Sequence, residues 1–279
     1  MKKNQNRYYY MGLVFIHSIL LFFTFYRKSN KKTIFFTFLS IIGLAFHFEY
    51  PLYISKAYKY RTKMLREKEQ DNSLGSILSQ GLFVPSAGIF ISVFQLGWKI
   101  KLLFTLYFVL IERFFVKVKV YRNKWWKTSY TGIFIFLYFF ISDAWYKGLK
   151  KENKNLLNLT VYHSSHVIYM CLLFLLSLSK KFRYQPKLVT FNPWYHHYSF
   201  VKVYLVVKTA FTTLCVTQRN NWIKLLPFGM TVISDFILIK YKILRVKGSY
   251  GTIVFPIRIT AHVLTYVINK LVKRRLTEG

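Results

Sequence analysis

Apolar residues in this chain run in blocks of helix length, without the alternation of a half-buried strand, and short clusters of Lys and Arg separate the blocks. A helix needs about 20 consecutive apolar residues to cross a hydrocarbon core ~30 Å thick, and most of the blocks approach that length. The pattern predicts spans at 8–26, 33–55, 76–98, 102–116, 128–146, 156–179, 200–217, 222–239 and 252–272. The stretch from Lys56 to Gly75, with six basic and three acidic residues, reads as the longest polar loop. Residues 188–200 are aromatic and broken by Asn192-Pro193, which suits a segment lying in the interface. The first run looks like a signal peptide's apolar core, but no small-residue cleavage site follows, so it reads as a retained helix. Continuously apolar runs disfavour a transmembrane β-barrel, whose strands alternate. The expectation is one all-α integral membrane domain, a polytopic transmembrane helical bundle of eight or nine spans.

Aromatic placement supports these boundaries. Trp98, Trp125-Trp126, Trp145-Tyr146, Trp194-Tyr195 and Trp222 sit at the ends of apolar runs beside Lys or Arg, where an amphipathic ring meets the headgroup region. Composition sharpens the picture: 53% of the 279 residues are hydrophobic and 20% are Phe, Tyr or Trp, yet the formal charge is +33. So basic a chain raises the question of nucleic acid. The basic residues do not gather on one tail or face, however, and nucleic acid is not expected as a partner. The expected partners are the lipid bilayer, its anionic headgroups (worth roughly 1 kcal/mol per basic residue near a charged surface) and other membrane proteins. Loops facing inward carry a modest excess of Lys and Arg if the amino terminus is inside. That orientation, in a bacterial cytoplasmic membrane, is the one expected. Cys171 and Cys215 both lie in apolar stretches, with no metal-ligand spacing and no disulfide framework.

Any chemistry lies in charges inside the apolar runs, because an ionisable group at mid-bilayer costs on the order of 3 kcal/mol on insertion scales. Glu49, Glu112, Asp143 and Asp235 fall within predicted spans. Asp143, beside Trp145, Tyr146 and Lys147, reads as interfacial. Glu49 lies at middling depth, with Pro51 placed to open the helix near it and a base on a neighbouring helix as its expected partner. Glu112 is next to Arg113, but adjacent residues on a helix point about 100° apart, so each must find a partner elsewhere. One reading pairs Glu112 with a Lys or Arg across the bundle; the other makes it a proton or cation site. Folding the last two spans as an antiparallel hairpin brings Asp235 and Arg258 to similar depth. They are expected as neighbours, with Lys208 a third member or turned to a wet cavity. The substrate or ion path, if there is one, is therefore assigned to Glu112, Lys208, Asp235 and Arg258, with Glu49, His163 and His166 as secondary candidates. His163 and His166 are three apart on one helix face, but the third ligand or general-base Glu of a metal site is missing. No catalytic residue, metal or cofactor is expected, and the chain does not read as an enzyme.

RNKWWK at 122–127 and RNNWIK at 219–224 each precede an apolar run bearing an Asp. Such an echo can mark a duplicated helical unit, but basic and aromatic residues gather at span ends anyway. In LLFTLYFVLIERFFVKVKVYRNKWWKTSYTGIFIFLYFF (102–140), Ile111 and Glu112 close a span and Trp125-Trp126 follow in a basic loop. The stretch resembles a family of uncharacterised multi-spanning membrane proteins from Gram-positive, spore-forming bacteria. Arg113 stands where that pattern has an aromatic, with Phe114 one place later. The resemblance implies membership and location but no mechanism, and the high Lys, Asn, Tyr and Phe content suits an AT-rich genome. The leading expectation is a structural, regulatory or partner-binding membrane component. The alternatives are a transporter or channel for a small ion or anionic solute, and then a membrane-embedded enzyme.

Overall fold

The computed structural model describes residues 5–186 and 192–273. They form nine long helices and four three-residue strands. The helices are α1 (Gln5–Arg27), α2 (Lys31–Ile54), α3 (Lys68–Val93), α4 (Trp98–Lys117), α5 (Thr128–Lys150), α6 (Lys154–Leu178), α7 (Pro193–Val216), α8 (Asn221–Lys240) and α9 (Tyr250–Lys273). The strands are β1 (Tyr58–Tyr60), β2 (Tyr121–Asn123), β3 (Phe182–Tyr184) and β4 (Leu244–Val246). Eight helices are long and apolar enough to cross a membrane. The exception is α4, read from the sequence as a span at 102–116, which carries Lys99, Lys101, Glu112, Arg113 and Lys117 and is not among the helices apolar enough to cross. Large apolar side chains such as Phe22, Leu110, Val207 and Ile233 are exposed along the helices. Water would penalise that much exposed apolar area, whereas lipid accepts it. The chain is thus an all-α helical bundle with the marks of a multi-pass membrane protein.

Capping explains several boundaries. The Asn30 side chain accepts from Thr33 N at 3.1 Å to start α2, and Asn220 accepts from Trp222 N at 2.9 Å to start α8. Asn192 accepts from Tyr195 N at 3.1 Å, and Pro193 at the first turn of α7 needs no N–H partner. Three expectations are corrected here. The segment 192–216 is one helix from Pro193, with no interfacial piece ahead of a separate span at 200–217, and residues 188–191 lie outside the described part. The third span does not begin at Ser76: α3 begins at Lys68, so the part of the supposed polar loop from Lys68 to Gly75 is helix, with a π-helical turn at Ser79–Phe83. Its polar first turns are buried because they hold the preceding loop. Asp71 accepts from the Thr62 hydroxyl and from the N–H groups of Lys63, Met64 and Leu65 at 2.9–3.1 Å, and Asn72 accepts from Tyr60 N at 2.8 Å. α2 also continues through Pro51 to Ile54 and does not open there.

The chain divides into two compact units, the first running to Leu156 and the second beginning at Leu157. Each contains one two-stranded antiparallel sheet, β1 with β2 and β3 with β4. The order α2–β1–α3–α4–β2–α5 is repeated as α6–β3–α7–α8–β4–α9, with α1 additional. Strand register repeats as well. Tyr58 faces Asn123 and Tyr60 faces Tyr121 in one sheet; Phe182 faces Val246 and Tyr184 faces Leu244 in the other. A shift of 124 residues carries β1 onto β3, and a shift of 123 carries β2 onto β4. The same shifts match the bond from Arg61 N to Val120 O with that from Gln185 N to Ile243 O, and the bond from Lys124 N to Ala57 O with that from Lys247 N to Lys181 O. They also match four lysines that follow helices with left-handed backbone: Lys56 (φ 55°) with Lys180 (58°), and Lys119 (62°) with Lys242 (58°). The chain is a tandem structural repeat, but not in the register of RNKWWK and RNNWIK.

Candidate functional site

In the first unit, α2, α3, α4, α5 and the sheet enclose a cavity of about 390 Å³, within the ~300–1,000 Å³ of small-molecule sites. The rings of Tyr58, Tyr60, Tyr121 and Trp126 form part of its wall, with neighbouring centroids 5.0–5.6 Å apart. The π-helical turn in α3 brings Ser79, Gln80 and Phe83 to the same wall; such turns are frequent at functional sites. Burial, and after it the nearby Glu49 carboxylate, raises the Tyr58 and Tyr60 phenols well above the ordinary tyrosine range. Burial likewise raises Tyr121. All three remain neutral O–H donors at physiological pH.

Glu112, 9% exposed, is the acid on the cavity wall. It does not find the Lys or Arg that one reading assigned to it. Its Oε1 accepts from Asn123 Nδ2 at 3.1 Å and from the Thr128 hydroxyl at 2.8 Å, and its Oε2 accepts from the Thr131 hydroxyl. Thr131 in turn accepts from Trp126 Nε1 at 2.8 Å. These neutral donors come from β2 and the first turns of α5, and no ion pair with Glu112 forms among the described residues. Tyr10 on α1 also borders the cavity, and its buried hydroxyl has no hydrogen-bond partner among the described residues. Glu49 accepts from the Tyr58 hydroxyl and from Ser76 Oγ at 3.0 Å. Asp143 joins Lys101 and Lys147, each at 3.1 Å.

In the second unit, Arg258 and Asp235 are neighbours, as the hairpin argument expects. Arg258 Nε donates to Asp235 Oδ2 at 2.8 Å and Nη2 donates to Oδ1 at 2.9 Å, a fork-on-fork pair of side chains 1% and 0% exposed. Tyr184 accepts from Arg258 Nη2 and the Tyr250 hydroxyl donates to Asp235 Oδ2, both at 2.8 Å. The guanidinium carbon lies 5.8 Å from the Phe182 ring centroid. Lys208 lies instead over the rings of Tyr169, at 4.5 Å, and Tyr204, at 5.7 Å. Its buried ammonium makes no hydrogen bond among the described residues. His163 and His166 are buried on α6, and His166 Nδ1 is 3.0 Å from Thr209 Oγ1. Among the described residues no three His, Cys, Asp or Glu side chains are grouped to share a metal ion.

No family model, curated protein or solved structure matches this chain. The repeat is therefore the comparison that the molecule offers with itself. The 123-residue shift that matches the end of α4 to the end of α8 carries Glu112 onto Asp235. Both acids stand on the helix before the second strand, and both are met by hydroxyl donors from the helix after it. Sequence reasoning found the two acids but missed Tyr58, Tyr60, Tyr121 and Tyr184. The signal for all but Tyr121 was the pair SKAYKY (55–60) and SKKFRY (179–184).

Proposed function

We propose that this multi-pass membrane protein binds a small amphipathic molecule in its first unit, with Glu112 as the polar contact and the aromatic wall holding the apolar body. The observation that carries this reading is the cavity of about 390 Å³ whose acid is met by neutral donors alone. A carboxylate serving only to fix helix register would be expected to carry a basic partner. The reading favours a solute-binding or transporting protein over the purely structural component that the composition first suggests. The setting proposed is a bacterial cytoplasmic membrane with the amino terminus inside. Anionic headgroups are proposed as partners at a second cavity of about 580 Å³, bordered by Lys180, Lys181, Arg183, Lys242, Arg245 and Lys247.

The test is binding of brominated alkyl ligands to protein in nanodiscs, read as the part of the tryptophan quenching that Trp126→Phe removes, in wild type and in Ala45→Phe. Ala45 is buried on the cavity wall, so the larger ring should fill the space. Saturable quenching in wild type that is lost in Ala45→Phe supports the reading. Quenching that rises linearly with ligand and is equal in both proteins would sink it.

A further inference from the structure

The second unit provides internally what the first lacks. Its Arg258 guanidinium touches three groups: the Asp235 carboxylate, the Tyr184 hydroxyl and the Phe182 ring. The repeat carries these onto Glu112, Tyr60 and Tyr58. All three counterparts border the cavity of the first unit. The space that a cation fills in one unit is therefore lined in the other by the same kinds of group, with no Lys or Arg among the described residues that line it. The matching turn of α5, Ile135 to Tyr138, reads Ile-Phe-Leu-Tyr and has no basic side chain. Counted from the strands Arg258 corresponds to Ile135, which lines the cavity, and counted from the helix starts at Thr128 and Tyr250 it corresponds to Phe136, one place along; neither is basic.

From this juxtaposition we infer that the ligand of the first unit is an organic cation, an alkylammonium or alkylguanidinium, whose charged head meets Glu112 while its chain lies against the aromatic wall. This inference rests on the proposed binding role and names its ligand class. Two features favour a cation over a neutral alcohol of equal length. The first is the carboxylate, whose three protein donors are all neutral. The second is the ring cluster, since tyrosine and indole faces attract a desolvated cation. The formal charge of +33 works against general attraction of cations to the chain, so a preference for the ammonium would be local to the carboxylate.

The experiment compares chain-matched probes, bromo-octylammonium and bromo-octanol, on full-length protein in nanodiscs. Three proteins are used: wild type, Glu112→Gln and Ile135→Arg. The ammonium is expected to bind wild type at least tenfold more tightly than the alcohol. Glu112→Gln should erase that preference while the alcohol still binds. Ile135→Arg, which copies the second unit by supplying a guanidinium from α5, should exclude the ammonium. Equal binding of the two probes to wild type, or a preference that survives Glu112→Gln, overturns the assignment of a cation and leaves the binding role standing. Failure of both probes to bind saturably overturns the binding role itself. A control on folding comes from the ring cluster of the first unit, Tyr58, Tyr60, Tyr121 and Trp126. Its near-ultraviolet circular dichroism should be the same in all three proteins, and binding lost without a change in that signal is then a property of the cavity.

Discussion

Arg258→Met tests the energetics of the second unit directly. The methionine keeps most of the apolar stem and removes the guanidinium, so Asp235, fully buried, loses two charge-assisted hydrogen bonds of 2.8 and 2.9 Å and keeps only the Tyr250 hydroxyl. Removing one partner of a buried ion pair costs ~3–5 kcal/mol, largely because the remaining charge is stranded, while replacing both partners by apolar groups is often neutral. Arg258→Met and Asp235→Leu should each destabilise by about 4 kcal/mol, close to three decades in the unfolding constant at ~1.4 kcal/mol per decade. The double variant should lie within ~1 kcal/mol of wild type, a coupling of several kcal/mol. The assay is pulse labelling of Cys215, buried on α7, across a denaturant series in detergent. Its modification reports opening of the second unit, because both thiols belong to that unit. Strictly additive single and double variants would refute the reasoning: the pair would then be a surface-like contact with solvent relieving each charge, despite its burial.

Further predictions follow from other parts of the fold. Lys119 is exposed with φ 62°; Lys119→Gly should leave stability unchanged or raise it by about 0.5–1 kcal/mol, and Lys119→Val should lower it by ~1–2 kcal/mol. Denaturation midpoints in detergent check both, and equal effects of Gly and Val would count against the left-handed turn. Tyr58, Tyr60, Tyr121 and Tyr184 have phenols raised chiefly by burial. The folded state thus holds their protons more tightly than the unfolded chain. Stability from this source is complete below about pH 10 and is lost as pH climbs toward the folded values. Melting should stay flat to mildly alkaline pH and then fall, with the tyrosinate absorbance of these four phenols, read as the difference from their Tyr→Phe variants, appearing together with unfolding; tyrosinate from these four on an intact fold would contradict this. The anionic partner proposed for the second unit predicts that Lys181→Ser with Arg245→Ser reduces co-purified anionic lipid several-fold, measured by mass spectrometry, while zwitterionic lipid is unaffected.

What could be read from the sequence follows from what the bilayer demands. A crossing helix must satisfy its own backbone and present apolar side chains, so the long runs and their basic, aromatic ends reveal the eight described helices that are long and apolar enough to cross. The start of α3 was hidden for a physical reason. Glu69, Gln70, Asp71 and Asn72 look like loop residues, yet they are buried as partners of the loop before them, and no periodicity in the helix itself announces that. The strands were equally hidden, since three residues carry too little alternation to stand out. The repeat was legible in part. RNKWWK and RNNWIK drew attention at the wrong offset, whereas the Ile-Lys-Leu-Leu at 100–103 and at 223–226 lies on the correct one. Strand register was needed to choose between them. Asp235 and Arg258 could be paired from depth alone, because a hairpin of two spans fixes relative height. The partners of Glu112 could not, because short hydroxyl and amide side chains are common and only the folded loop shows which ones arrive.

The two acids show why a repeated scaffold need not repeat its chemistry. The order of helices and strands sets Glu112 and Asp235 on corresponding helices and brings a following helix to each, so carboxylate position belongs to the scaffold. Whether that carboxylate is matched by a base depends on a single turn of that following helix, where one unit has Arg258 and the other Ile135. A carboxylate without a base keeps its charge uncompensated, since neutral hydrogen bonds, at roughly 1.5–3 kcal/mol each to a charged group, offset desolvation without supplying an opposite charge. In the second unit the arginine makes up the difference and closes the site. In the first, the same deficit is relieved only when a cation arrives from outside, so the energy that stabilises one unit is available to the other as binding affinity. On that reasoning Ile135→Arg should do two things together: stabilise the first unit and abolish its capacity to bind.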